Sequence, residues 1–161
     1  DGEANPRYAL TEIERRWLVD AAVIGDLTGI PFRLYEDLYL ADSRLRLRRI
    51  TDSTGDVVYK LGKKYGKRTA LSEPITTLYL DEPEYERLRQ LQGTFSVKKR
   101  YSYRGGSLDV YQSPNAGLMI FELEFDSESA ALAYQPPPCV TREITGEVGY
   151  SGYQLSKPQS S

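Results

Sequence analysis

Hydrophobic and polar residues alternate along most of this chain, in short runs separated by turn residues. The alternation is clearest in SRLRLRRI at 43–50 and LMIFELEF at 118–125. Because successive side chains of a β-strand point to opposite faces, this period of two predicts strands rather than helices. Turn signals follow several runs, as in STGD at 53–56 and YRGG at 103–106. The predicted strands lie near residues 11–19, 33–41, 43–51, 56–62, 74–80, 95–103, 107–112 and 118–126.

A single stretch, DEPEYERLRQLQG at 81–93, predicts a substantial helix. Asp81 is its N-cap, Leu88 and Leu91 share one face, and Gly93 is the stop signal. We expect this helix to pack over one face of a sheet. Strands at such short intervals are typical of a sandwich or a barrel, so the predicted fold class is mainly β (α+β).

The segment TEIERRW at 11–17 fits two incompatible structures. As a helix, it would open with a capping box formed by Thr11 and Glu14. As a strand, it would place Glu12, Glu14 and Arg16 on one face and Trp17 on the other. The strand interpretation gathers two carboxylates and a guanidinium on one surface, with Trp17 expected in the packed core.

Composition narrows the possible functions. The chain has 161 residues, enough for one domain, and a net charge of -2 from 21 basic and 23 acidic residues. It contains no histidine, which excludes catalysis or metal binding through imidazole. Its one cysteine, Cys139, allows no intrachain disulfide and is interpreted as a loop residue and not a nucleophile. A reducing, cytoplasmic location and no membrane partner are expected.

The charges are distributed by sign along the predicted strands. Arg44, Arg46 and Arg48 share one face of their strand, and Glu122 and Glu124 share one face of another. Eight antiparallel strands can close into a barrel that holds a small ligand. If the charged faces point inward, the interior needs water, a polyanion and metal ions, because unpaired buried charges are costly. Arginine suits phosphate oxygens, and carboxylates without histidine or cysteine suit Mg²⁺ or Mn²⁺.

These segments resemble, in order, the CYTH domains, also called triphosphate tunnel metalloenzymes. The family begins with Glu-x-Glu-x-Lys, and this chain has Glu12-Ile-Glu14-Arg-Arg16. The resemblance continues through YL at 39–40, RLRLRR at 44–49, YKLG at 59–62, KKRY at 98–101, LDVY at 108–111, GLMIFELEF at 117–125 and TREITGEVGYSGYQLS at 141–156. It favours the strand interpretation of TEIERRW.

The resemblance implies an eight-stranded antiparallel β-barrel tunnel with a few flanking helices, spanning residues 11–156. Residues 1–10 would be an N-terminal extension and residues 157–161 a disordered tail. It implies a metal-dependent hydrolase that releases phosphate from a triphosphate, as a monomer or homodimer with no sequence-specific nucleic acid as partner.

The implied catalytic residues are Glu12, Glu14 and Arg16. The implied phosphate-binding residues are Arg44, Arg46, Arg48, Lys60, Lys98, Arg100 and Arg142. The implied ligands for Mg²⁺ or Mn²⁺ are Glu12, Glu14, Asp109, Glu122 and Glu124. Tyr39 is implied, more weakly, near the mouth of the tunnel.

Two departures from the family pattern bear on the activity. Arg16 replaces the signature lysine, and a guanidinium stays protonated and cannot act as a general base. ITTLYL at 75–80 lacks glutamates that several family members carry. Inorganic tripolyphosphate is the expected substrate, because the chain has no obvious element for gripping a base or a thiazolium ring. The alternatives are an organic triphosphate enzyme (a thiamine or nucleoside triphosphatase, or an adenylyl cyclase) and a non-catalytic polyphosphate- or nucleotide-binding module.

Overall fold

The computed structural model describes residues 5–158 and consists mainly of antiparallel β-strands. The strands are β1 Leu10–Val19, β2 Arg33–Leu40, β3 Leu45–Thr51, β4 Val57–Lys64, β5 Ser72–Leu80, β6 Gly93–Tyr103, β7 Gly106–Ser113, β8 Met119–Glu124 and β9 Val140–Glu143. The first eight match the predicted strands to within two residues at each end, and TEIERRW lies within β1. The short strand β9 was not predicted.

Short helices connect or flank these strands. They are α1 Ala21–Ile24, α2 Glu82–Leu88, α3 Glu128–Ala133 and α4 Gly152–Ser156, with a 3-10 turn at Val148–Tyr150. Asp81 is the N-cap of α2, as predicted, and it forms a capping box with Glu84. The helix ends at Leu88, earlier than predicted, and Gly93 begins β6 and does not terminate a helix. A Cβ at Gly93 would lie 2.2 Å from the backbone oxygen of Tyr39, so the close approach of β6 to β2 requires glycine there.

The sheet closes on itself. Its strand order is β5-β4-β3-β2-β6-β7-β8-β1, and β1 also pairs with β5. The predicted eight-stranded antiparallel barrel is therefore confirmed, with β9 added beside the second half of β1. Closure leaves few unpaired strand edges, which suits a chain with this many short strands.

Apolar packing lies mostly outside the barrel wall. Helix α2 places Tyr85 against buried Leu38, Leu40 and Leu47, so it does pack over one sheet face as expected. Trp17 is 2% exposed and stacks on Phe121 at a ring-centroid distance of 5.6 Å. The expectation of a core tryptophan is therefore confirmed.

The C-terminal segment packs against one end of the barrel. Ile144 and Leu155 contact Tyr111 and Ile120, which belong to the inward-facing rows of β7 and β8. Among residues 5–158, no helix is long and apolar enough to span a membrane. The predicted N-terminal extension and disordered tail fall partly on residues 1–4 and 159–161, outside the described residues.

Candidate active site

The strand register places most of the predicted charged residues on the inner surface of the barrel. Opposite each other lie Glu14 and Glu124, Arg16 and Glu122, Arg100 and Asp109, and Arg48 and Lys60. In an antiparallel pair, residues directly opposite face the same side of the sheet. The side chain of Arg16 accordingly reaches Glu122. Residues that are far apart in the sequence thus line one interior.

One wall of the interior is acidic. We call Glu12, Glu14, Glu73, Glu122 and Glu124 the acidic cluster; they come from β1, β5 and β8. Glu73 pairs in register with Glu12, is 8% exposed, and accepts a hydrogen bond from the backbone N–H of Gly66 at 3.0 Å. The cluster concentrates like charge in a partly buried space.

The pKa values reflect this crowding. Burial, and then the charge of Glu122, raise the pKa of Glu14 to about 8. Burial and the charge of Glu12 raise the pKa of Glu124. Burial would also raise the pKa of Glu122, but Arg100 and Arg16 outweigh it and lower the value to about 2. The first strand therefore carries a carboxylate whose charge is only partly compensated by the protein.

The donor set of the acidic cluster fits a hard divalent cation. It offers carboxylate oxygens alone, which are the ligands that Mg²⁺ and Mn²⁺ prefer. A bound cation would also relieve the repulsion that raises the pKa of Glu14. Within residues 5–158, no three carboxylate or thiol side chains are already gathered closely enough to form a metal site.

The opposite wall is basic. We call Arg46, Arg48, Lys60, Lys98 and Arg100 the basic cluster; they come from β3, β4 and β6. Tyr35, 4% exposed, lies among them, with the guanidinium carbons of Arg48 and Arg100 each 4.6 Å from its ring centroid. These distances are typical of cation–π contacts, which help to hold neighbouring cations around one neutral ring.

Two buried aspartates neutralise part of the basic cluster. Asp37 accepts from Arg48 at 2.7 and 2.9 Å. Asp109 accepts from Arg100 at 2.7 and 2.8 Å and lies 2.8 Å from the Lys98 Nζ. Burial would raise the pKa of each aspartate, but the adjacent cations lower it. Asp109 lies in the interior, as predicted from the sequence, but its partners there are protein cations.

The charge of Arg46 in the basic cluster is only partly compensated. Its Nε is buried and has no hydrogen-bond partner. Burial, and then the like charge of Arg48, lower its pKa. Gly62 makes room for the guanidinium, since a Cβ there would lie 2.8 Å from the Arg46 Nη2. Nearby, Lys60 lies over the ring of Tyr79, with its Nζ 5.1 Å from the centroid.

Arg44 and Arg142 are not buried with the other predicted phosphate-binding residues. Arg44 precedes β3, is exposed, and lies beside Gly66 in the loop after β4. Arg142 belongs to β9 and pairs with Glu147 at 2.7 Å, with about half of its side chain exposed. Tyr39 lies inside the barrel, where its ring contacts that of Tyr153 in α4.

Arg16 joins the acidic wall to the C-terminal segment. Its Nε donates to Glu122 at 3.2 Å, and its Nη1 donates to the backbone oxygen of Tyr150 at 2.7 Å. Burial would lower its pKa, but the charge of Glu122 raises it. Arg16 therefore remains a cation at the position where the signature motif has lysine.

Three interior residues were missed by sequence reasoning. Asp37 follows the same alternation as Tyr35 and Tyr39, so the period of two in RLYEDLYL could have placed it inside. Glu73 and Lys64 were missed because the predicted β5 began at residue 74 and the predicted β4 ended at residue 62. Both side chains lie just beyond those predicted ends, within strands that the structure extends.

Comparison with known proteins finds a relative by sequence and relatives among solved structures. The chain is 33% identical over 154 residues to an inorganic triphosphatase of Nitrosomonas europaea, covering 91% of this chain and 97% of that protein. A crystal structure of an inorganic triphosphatase superposes with a TM-score of 0.59 at 28% identity, covering 93% and 98% of the two chains. A crystal structure described as a hypothetical protein gives a TM-score of 0.57 at 28% identity, covering 90% and 96%. No family model matches the sequence.

Proposed function

Because this chain belongs to the CYTH family, the triphosphate tunnel metalloenzymes, we propose that it hydrolyses a triphosphate, with inorganic tripolyphosphate as substrate. The relatives named as inorganic triphosphatases cover more than nine-tenths of the chain. The similarity therefore extends over the strands that carry both charged clusters.

The observation that carries the proposal is the buried, unpartnered Nε of Arg46. A buried polar group without a partner costs free energy that a ligand can recover. Arg48, Lys98 and Arg100 already have carboxylate partners, whereas Arg46 and Lys60 have no ion pair within residues 5–158. A chain of phosphates fits this wall, because it offers many acceptor oxygens to cations arranged along it.

The protein's own residues account for binding and orientation. Arg46 and Lys60 would grip the phosphates directly, while Asp37 and Asp109 hold the remaining cations in fixed positions. Phosphoryl transfer depends mainly on positioning and on neutralising charge, which such a preorganised wall supplies. Water adds to the terminal phosphorus, the bond from that phosphorus to the bridging oxygen breaks, and the products are phosphate and diphosphate.

Mg²⁺ or Mn²⁺ would be held by Glu12, Glu14, Glu122 and Glu124 of the acidic cluster. Such an ion, when bound, supplies Lewis-acid charge that favours attack by water and departure of the leaving oxygen. Arg16 cannot take the proton from water, so a carboxylate of the acidic cluster is the acceptor in this proposal. Asp109 is outside this set, because both of its oxygens already bind protein cations.

A second candidate is an organic triphosphate, and Tyr79 is the observation in its favour. Its ring is 73% exposed and lies beside Lys60 of the basic cluster. An exposed aromatic ring beside a phosphate-binding cation is where a base or a thiazolium ring could stack.

The test is phosphate release from tripolyphosphate, ATP and thiamine triphosphate, each with Mg²⁺, with Mn²⁺ and with a chelator. We expect metal-dependent release that is fastest from tripolyphosphate and unaffected by Tyr79→Ala. Faster release from ATP or thiamine triphosphate, lost in Tyr79→Ala, would instead support the organic substrate. Thermal stabilisation by tripolyphosphate without release from any compound would leave a binding protein and refute the hydrolase.

A further inference from the structure

Lys64 places a positive charge against the acidic wall. It is the last residue of β4 and belongs to the same inward-facing row as Lys60 and Gly62. Its side chain reaches past β5, and its Nζ lies 3.5 Å from the Oε1 of Glu12 on β1. Lys64 thus contacts the acidic wall, whereas the other interior cations of β3 and β4 belong to the basic cluster.

Of the two β1 carboxylates, Glu12 is the one that pairs with this lysine. Glu122 has two cationic partners, Arg16 at 3.2 Å and Arg100 at 3.5 Å. In the part of the chain that the structure describes, Lys64 is the one ion-pair partner of Glu12, and Glu14 has none within 4 Å. The charge of Lys64 also acts on Glu14 and Glu122 at longer range.

Lys64 is held less firmly than the other interior cations. About half of its side chain is exposed, compared with 12% for Arg16 and 14% for Arg100. Its contact to Glu12 is longer than a normal hydrogen bond, and its flexible four-carbon stem can swing aside at low cost. Arg48 and Arg100, in contrast, are fixed by two bonds each to an aspartate.

We propose that Lys64 is an internal counter-ion of the acidic cluster, which compensates Glu12 in the metal-free protein and moves away when a divalent cation binds. The inference rests on the proposed metal site. An ammonium group and a metal ion compete for the same carboxylate oxygens, so the free energy of the Lys64 ion pair is lost on metal binding. Lys64 therefore stabilises the metal-free fold and weakens its affinity for metal.

The experiment measures Mg²⁺ and Mn²⁺ affinity by titration calorimetry and metal-free melting temperature, both without substrate. Its variants are Lys64→Gln, which removes the charge, and Lys64→Arg, which keeps it. Lys63→Gln is the matched control, because Lys63 lies on the other face of β4, with its Nζ 5.2 Å from the ring of Tyr65. We expect Lys64→Gln to bind metal roughly two- to five-fold more tightly, the range of a partly exposed ion pair, and to melt at a lower temperature without metal. Lys64→Arg and Lys63→Gln should match the unmodified chain in affinity.

Three results would overturn the proposal, in distinguishable ways. Unchanged or weaker metal affinity in Lys64→Gln would reject the counter-ion and leave the metal site standing. Failure of every variant and of the unmodified chain to bind either metal would reject the metal site as well. Weaker binding of tripolyphosphate in chelator by Lys64→Gln, with metal affinity unchanged, would assign Lys64 to the phosphate instead.

Discussion

Asp109→Asn is expected to destabilise the fold rather than remove a metal ligand. Asp109 is fully buried, and its two oxygens bind Arg100 and Lys98 at 2.7–2.8 Å. Asparagine has nearly the same shape but no charge, so the substitution leaves two largely buried cations beside a neutral amide. Their side chains are only 14% and 10% exposed, so water can replace little of the lost interaction.

The size of the effect follows from these contacts. Removing one partner of a buried ion pair costs about 3–5 kcal/mol in free energy of unfolding. We expect about 3 kcal/mol, near the lower limit, because Arg100 keeps Glu122 at 3.5 Å. For a chain of 161 residues, unfolding entropy near the midpoint is roughly 0.3 kcal/mol per degree. The melting temperature should therefore fall by about 10 °C.

Thermal denaturation, with and without tripolyphosphate, tests this prediction. Tripolyphosphate should raise the melting temperature of Asp109→Asn more than that of the unmodified chain, because Lys98 and Arg100 no longer have an internal competitor. Asp56→Asn is the matched control, since Asp56 is exposed in the turn before β4. An unchanged melting temperature together with lost Mg²⁺ affinity would refute the reasoning and make Asp109 a metal ligand.

Three further outcomes are expected. Arg46→Gln should weaken tripolyphosphate binding about tenfold or more with little loss of stability. Arg49→Gln, on the outer face, should change neither the binding nor the stability. An equal loss of tripolyphosphate binding in both variants would argue against a role for Arg46 inside the barrel. Glu122→Gln should abolish metal-dependent phosphate release while the far-ultraviolet circular dichroism of the folded chain persists, and full activity would exclude Glu122 as a metal ligand. The pKa of the Glu14 carboxyl is 4.5 in the unfolded chain and about 8 in the folded chain. Between these two pH values, the folded chain therefore holds a proton on Glu14 that the unfolded chain has released. Metal-free stability should therefore fall as pH rises through this range, and the slope should be smaller in Glu14→Gln; identical slopes would contradict the assignment.

The strands could be predicted from the sequence because their signal is local. Arg46 and Arg48, or Glu122 and Glu124, reveal an inward face by alternation alone, and the family resemblance then supplied closure into a barrel. The compensation of charge could not be predicted in this way, since it depends on contacts between strands. Nothing local in LDVY shows that Asp109 binds Arg100 across the β6–β7 pair, or that Asp37 binds Arg48 across the β2–β3 pair.

The ends of elements were the least predictable part of the chain. The helical pattern of residues 81–93 continues past Leu88, but the helix ends there. Residues 93–103 instead form backbone hydrogen bonds with β2 and β7. Similarly, the alternation that defines β4 fades before Lys64, although its ladder with β5 continues to that residue. Tertiary pairing thus overrides local preference at these ends.

The position of β1 in the barrel also has a consequence for folding. Its first residues pair with β5 and its later residues with β8, so β1 is the seam at which the wall closes. Strand β8 lies near the far end of the sequence, and such distant pairings form slowly because a long loop must first be closed. A nascent or partly folded chain therefore keeps Glu12 and Glu14 apart from Glu122 and Glu124. The same closing step that completes the fold assembles the acidic cluster, so a partly folded chain should lack the complete set of carboxylates proposed to hold the metal ion.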